Sequence, residues 1–233
     1  MDYRERHVVV TGGTGALGTA VVGALLEAGA VCHVPYRSEG AAKRFPHADN
    51  KKVSLVALRD LADEAAVTDF YGGLDQLWAS IHIAGGFAFA PIATSDKALL
   101  LGQLSANLVS AYLCSRAAVA AFERAGAGGR IVNVAARHAL EPRLGASLTA
   151  YAVAKAGVAA LTVALGEELA KDDVLVNAVA PSIMDTPANR KSMPKADFDA
   201  WPKVEEVAAA IMFLASPENK VTRGAIVPVY GKF

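Results

Sequence analysis

Thr11-Gly-Gly-Thr-Gly-Ala-Leu-Gly18 stands between an apolar run, His7-Val-Val-Val-Thr11, and a helical pattern, Ala16 to Ala28, that Gly29 closes. Gly12 permits a tight turn out of the strand. Gly15 lets backbone approach a pyrophosphate, and Gly18 lets helix and sheet pack closely. Thr14, Ala16 and Leu17 complete the turn. The helix start offers unpaired N–H groups and a partial positive charge, which together suit phosphate. In this strand–turn–helix setting the glycines predict a dinucleotide cradle, where the same pattern alone would be weak evidence.

Outward from the cradle, short apolar strands alternate with helices. Further strands are predicted at Val31 to Val34, Val53 to Leu58, Leu77 to Ile83, Arg130 to Val134, Val174 to Val179 and Ile226 to Val229. Helices are predicted at Leu99 to Ala125, Thr149 to Lys171 and Val204 to Ala215. Such alternation implies an α/β fold, a doubly wound parallel sheet of about seven strands with helices on both faces. No linker or repeat divides the chain, so residues 1–233 are expected to form one NAD(P)-binding domain.

Composition narrows the function. The chain is 53% apolar and 20% charged, which suits a globular protein. Its net charge is zero, with no basic stripe to neutralise phosphates, so nucleic acid is not the expected partner. No unbroken run of 18 apolar residues is present and the N-terminus reads as no signal peptide, so a cytoplasmic, membrane-free protein is expected. Cys32 and Cys114 lie in separate apolar elements and are expected to be reduced core residues. No CxxC or HExxH spacing suggests a metal.

A doubly wound sheet binds its ligand beyond the carboxyl ends of its strands. The expected walls are Thr11 to Gly18, Ala84-Gly85-Gly86, Ala135 to His138 and Pro181 to Trp201. After strand two the chain reads Val34-Pro-Tyr-Arg-Ser38, without the carboxylate that would take the ribose hydroxyls of NAD. Arg37 and Ser38 instead suit a 2′-phosphate, which favours NADP(H) over NAD(H). The stretch around residues 181–202 is too long for an idle connection and is read as a substrate lid. Phe87, Phe89 and Trp201 are candidates to stack on a flat ring, with core packing as the equal alternative. His138 is a candidate substrate contact, and Asn189, Arg190 and Lys191 could equally be a solvated lid face.

Tyr151-Ala-Val-Ala-Lys155 carries the chemistry. A tyrosine and a lysine four apart on a helix share one face. A phenol titrates near ~10. A lysine charge about 5 Å away at an effective dielectric of about 20 is worth roughly 3 kcal/mol, or roughly two pKa units. Lys155 is therefore expected to lower the Tyr151 pKa.

Taken together, TGGTGALG, Ala84-Gly85 after strand four, Asn107 in the long helix, the YAVAK helix and Val176-Asn-Ala-Val-Ala-Pro181 resemble the short-chain dehydrogenase/reductase family over essentially the whole chain. The resemblance implies a single-domain Rossmann-type oxidoreductase that moves hydride between NAD(P)H and a small-molecule substrate. It implies that Tyr151 is the acid–base residue, that Lys155 tunes it and binds the nicotinamide ribose, and that Asn107 holds a relay water. Ile183 and Thr186 would meet the nicotinamide carboxamide, with Pro181 beside them, and Asp60 the adenine. Ala-rich helices pair between subunits in this family, so a homodimer or homotetramer is implied.

Two departures shape the expected substrate. His82-Ile-Ala-Gly85 replaces the usual Asn-Asn-Ala-Gly, and Ala136 stands where the family carries a catalytic serine. For a ketone substrate, losing such a donor costs on the order of 3 kcal/mol. Ser147 or Thr149 could substitute, although Thr149 is read as a helix cap. The dihydropteridine reductase branch also lacks this serine, and Ile83-Ala-Gly-Gly86 and Asp185-Thr-Pro-Ala-Asn-Arg-Lys-Ser-Met-Pro-Lys-Ala-Asp-Phe-Asp-Ala-Trp201 resemble it. A pterin-like substrate is the first expectation and a carbonyl or alcohol substrate the second. A non-catalytic NADP(H) sensor is third, because a sensor needs no proton relay.

Overall fold

The computed structural model describes residues 1–232. Its seven strands are β1 His7–Thr11, β2 Val31–Tyr36, β3 Val53–Ala57, β4 Ala79–His82, β5 Gly129–Val134, β6 Val174–Pro181 and β7 Ile226–Val229. They form one sheet in the order β3-β2-β1-β4-β5-β6-β7, and every neighbouring pair is parallel. The helices are α1 Ala16–Glu27, α2 Glu39–Lys43, α3 Glu64–Gly72, α4 Lys97–Gln103, α5 Ser110–Ala125, α6 Arg137–Leu140, α7 Thr149–Glu168, α8 Pro187–Ser192 and α9 Val204–Ala215. A π-helical stretch, Leu104–Val109, joins α4 to α5. The sequence reading did not foresee α2, α3, α6 or α8.

Alternation along β1 sorts the core. Val8 and Val10 pack with α1 and α9 through Val21, Leu25, Val207 and Ile211. Val9 faces the other way, with Val67 and Tyr71 of α3 and Cys114, Ala118 and Phe122 of α5. Both cysteines are free and buried, as expected. α7 covers β6 through Val158 against Ala178 and Ala180. The Lys97–Ala125 helical stretch and α7 reach mean hydropathies of 1.3 and 1.4. The search for an unbroken apolar run missed both. About a third of each such window is buried, and Val109, Tyr112, Val153 and Val163 remain exposed.

A chain of buried polar side chains crosses the middle of the sheet. Tyr71 Oη lies 2.7 Å from Ser80 Oγ, and Ser80 Oγ lies 2.8 Å from His82 Nε2. His82 Nδ1 lies 2.8 Å from Asn133 Oδ1, and Asn133 Nδ2 donates to Thr162 Oγ1 over 2.9 Å. Thr162 donates to Val158 O. Because the Asn133 amide faces Thr162 with its N–H, its oxygen must accept from His82 Nδ1–H. With His82 held neutral by its burial, Nε2 accepts from Ser80 and Ser80 accepts from Tyr71.

Burial pushes His82 down to about 4, and burial with the neighbouring His7 does the same to His33. Both folded values lie below the unfolded value of ~6.5, so the unfolded chain binds the extra protons between these limits. Their contribution is complete above about pH 6.5 and is lost as pH falls toward 4. For buried His82 it is on the order of 3 kcal/mol. Thermal melts should show a Tm that is flat above neutrality and falls steadily from pH 6.5 to 4. A Tm unchanged across that interval would refute the assignment.

Candidate active site

The cradle is built from close backbone approaches. A Cβ on Gly18 would lie 2.1 Å from Gly12 O, and one on Gly12 would lie 2.7 Å from Ala84 N. Gly12 also has φ +69°, a left-handed conformation that suits glycine. Gly15 caps α1 without any side-chain hydrogen bond, and no acidic residue lies in the first turn. The first N–H groups of α1 are thus free to meet an anion.

A cleft of about 540 Å³ runs from this turn along the strand ends. Gly12, Thr14, Gly15, Ala16, Leu17 and Gly18 line it, with Ala84 and Gly85 opposite and Arg37, Ser38 and Asp60 farther along. Free N–H groups, space without side chains and two cations at one end fit a dinucleotide phosphate set. The second cation is Arg59, which the sequence reading missed although it stands beside Asp60. Two of the expected contacts are partly engaged. Ser38 Oγ caps α2 by accepting from Ala41 N, and Asp60 Oδ1 accepts from Ala62 N.

A second pocket of about 230 Å³ shares Leu17, Ile83, Gly85 and Met184 with the cleft, so the two spaces adjoin. Its other walls include Phe87, Asn107, Val134, Ala135, Ala136, Tyr151, Lys155, Pro181 and Ser182. Tyr151 and Lys155 do face one pocket. Their electrostatics differ from expectation. Burial raises Tyr151 to about 12 and lowers Lys155 to about 8. The ammonium donates to Val134 O at 2.6 Å. Desolvation therefore outweighs the attraction expected between the two heads, and the phenol stays protonated at neutral pH.

Asn107 borders the same pocket. Its Nδ2 donates to Gly86 O and Gln103 O, both at 3.0 Å, and its Oδ1 accepts from Gly86 N at 3.2 Å. The side chain clamps the loop after β4 with both amide hydrogens, which leaves its oxygens as the atoms that could accept from a relay water. The π-helical turn that contains it makes this reach possible. A π bulge inside an α-helix often marks a functional position.

The remaining candidates separate into rim and scaffold. Phe87 is 64% exposed and packs edge-on against Tyr151, with ring centroids 5.1 Å apart. His138 packs against Tyr151 at 5.8 Å, also edge-on. Trp201 is only 5% exposed and packs on Phe198, so it is not a free stacking ring. Thr186 accepts from Asn189 N and caps α8. Met184, not Ile183, lines both cavities. Arg190 pairs with Asp185 and lies over Phe198, so it braces the segment 181–202 internally. Leu148, not Thr149, occupies the cap of α7. Neither Thr149 nor Ser147 is on the pocket wall, where Ala136 brings no hydroxyl. Among the described residues no cluster of three or more metal-ligating side chains occurs.

Known proteins align with the whole of this arrangement. Residues 6–197 match the family described as short chain dehydrogenase. Galactitol 2-dehydrogenase of Rhizobium johnstonii is 34% identical, covering 100% of this chain and 99% of its own length. Cis-4-hydroxycyclohexanecarboxylate dehydrogenase of Sinomonas cyclohexanicum is 33% identical, with coverage of 99% and 97%. Among solved structures, an oxidoreductase of the short chain dehydrogenase/reductase family from Burkholderia thailandensis superposes with a TM-score of 0.86 at 28% identity, covering 97% of this chain and 92% of that one.

The Asn107 clamp can be tested without any ligand. Asn107→Ala leaves the Gly86 N–H and C=O without their partners, at about 1–3 kcal/mol. The variant should melt lower, and its Gly86 amide should exchange with solvent at least tenfold faster. Wild-type protection at Gly86 would rule out the clamp.

Proposed function

The chain belongs to the short chain dehydrogenase family, and we propose that it is a reductase acting on a flat, electron-poor ring of the quinonoid dihydropteridine type. Membership makes it an NAD(P)-dependent oxidoreductase. The observation that carries the reductive reading is Tyr151. Its phenol faces a pocket adjoining the dinucleotide cleft, and burial keeps it protonated. A protonated phenol is a donor, as reduction requires.

The bound dihydronicotinamide supplies the hydride. The protein does the rest. The cradle at Gly12 to Gly18 and the N-terminus of α1 hold the phosphates. Lys155, fixed on Val134 O, borders the pocket beside Tyr151. Tyr151 Oη gives its proton to the ring atom that gains charge. Ala136 is 4% exposed and brings no hydroxyl to this pocket. In a quinonoid ring the incoming charge spreads over nitrogens and the carbonyl, so no localised alkoxide calls for such a donor. Together with the resemblance of Asp185 to Trp201, this favours a pterin-like ring. We further infer NADP(H) as the preferred cofactor from Arg37 and Arg59, both exposed along the cleft. The exposed apolar faces of α5 and α7 favour a homodimer or homotetramer.

A second reading follows from the full-length relatives, whose names specify galactitol and cis-4-hydroxycyclohexanecarboxylate. On that reading the substrate is an alcohol or carbonyl compound.

A turnover screen separates the two. NAD(P)H should be consumed with quinonoid dihydropterin and hardly at all with simple ketones; the reverse pattern would select the second reading. Tyr151→Phe should lower kcat by roughly 10²–10⁴-fold while cofactor Kd stays within about twofold. Full activity in that variant would exclude Tyr151 as the proton donor. Arg37→Ala and Arg59→Ala should each weaken NADPH about tenfold more than NADH, the scale of one charge-assisted contact. Equal losses for the two cofactors would show that neither arginine reads the 2′-phosphate.

A further inference from the structure

Two buried side-chain polar atoms among the described residues have no hydrogen-bond partner: Gln103 Oε1 and His138 Nδ1. Neither residue is on the pocket wall itself, but each touches residues that are. Gln103 packs beside Gly86 and accepts from Asn107 through its backbone carbonyl. His138 packs against Tyr151 itself. An unmade hydrogen bond at a buried donor or acceptor costs about 1–3 kcal/mol, and such sites need an explanation.

The other polar side chains around Tyr151 are engaged. Lys155 donates to Val134 O. Asn107 spends its amide on Gly86 and Gln103. Ser182 donates to Tyr230 O at 2.8 Å. Ala135 and Ala136 are apolar and buried. His138 is thus the uncommitted polar side chain in contact with the phenol, on the β5 side. Across from it, Phe87 lays a second ring against Tyr151.

We propose that His138 is a catalytic residue that hydrogen-bonds, through Nδ1, the polar edge of a planar heterocyclic substrate seated beside Tyr151 and Phe87. The proposal rests on the reductase reading above and adds to it the group that orients the ring. A ring N–H or C=O brought to Nδ1 supplies the partner that the folded protein withholds. Burial and the adjacent Arg137 disfavour the imidazolium, so the ring acts as a neutral hydrogen-bonding group. His138 is partly exposed on the four-residue helix α6 while Nδ1 itself is buried, so a ligand meets Nδ1 through a turn of the imidazole.

Two measurements test this. In wild-type protein with ¹⁵N-labelled histidine, a dead-end mixture of NADP⁺ and tetrahydropterin should shift the Nδ1 resonance of His138, while NADP⁺ alone should not. In turnover with NADPH and quinonoid dihydropterin, His138→Phe keeps a ring against Tyr151 but removes both nitrogens. It should lose about ten- to a hundredfold in kcat/KM, the scale of one hydrogen bond, with NADPH Kd unchanged. His138→Asn should recover part of the loss. An unshifted Nδ1 resonance, or a His138→Phe rate within threefold of wild type while Tyr151→Phe is inactive, would overturn the role of His138 and leave the reductase reading intact. Wild-type protein inert toward both the pterin and a panel of ketones would overturn the reading and the inference together.

Discussion

Two backbone contacts with no room for a side chain hold the site open. Gly18 sits where a Cβ would fall 2.1 Å from Gly12 O, and Gly12 sits 2.7 Å from Ala84 N by the same measure. The first contact lets α1 start directly at the carboxyl end of β1. The second brings the loop after β4 against the glycine turn, where the strand order reverses between β1 and β4. A doubly wound sheet opens its crevice at such a point. A side chain at either position would push α1 or the β4 loop away, and the cleft and the adjoining pocket would part.

The second constraint fixes the helix that carries the chemistry. α7 is tied to β5 at two successive residues. Thr162 Oγ1 accepts from Asn133, and Lys155 Nζ donates to Val134 O. Lys155 and Thr162 lie about two turns apart and therefore share a face, and Tyr151 lies one turn further toward the helix start on the same side. Asn133 is in turn held by His82, so the neutral imidazole beneath the site sets the position of the phenol above it. Gly157 completes the fit, since a Cβ there would meet Leu108 at 2.7 Å. α7 thus packs on the same π-helical stretch that aims Asn107 at Gly86.

Strand alternation, the glycine turn and the YAVAK spacing were readable because each depends on local order along the chain. The seven strands fall where apolar runs placed them, with no end shifted by more than two residues. The short helices α2 and α3 escaped notice because one turn or two gives too little periodicity to read. The π-helical turn was hidden for a different reason: it adds one residue to a turn without altering the apolar pattern. The engagement of Asn107 with Gly86 joins residues far apart in the chain and is a tertiary fact, whereas Thr186 with Asn189 and Trp201 with Phe198 are local contacts that a cap and a short turn would have announced. The Tyr151–Lys155 electrostatics went astray because a pairwise Coulomb estimate leaves out desolvation. Burial acts on both groups in the structure, raising one and lowering the other.

That reversal bears on the direction of the chemistry. A tyrosine that must abstract a proton from an alcohol needs its phenolate at working pH, whereas one that donates to a reduced ring needs the phenol. An ordinary phenol is already protonated at neutral pH, and burial raises its pKa further. It also lowers the lysine only to about 8, which leaves a mostly charged ammonium at neutral pH beside the pocket. The pocket wall from Val134 to Ala136 offers no hydroxyl to a developing alkoxide. The side chains closest to Tyr151 are aromatic on both sides, Phe87 and His138. The missing hydroxyl and these two rings support the pterin-like ring proposed above, while the similarity to galactitol 2-dehydrogenase supports the alcohol or carbonyl reading.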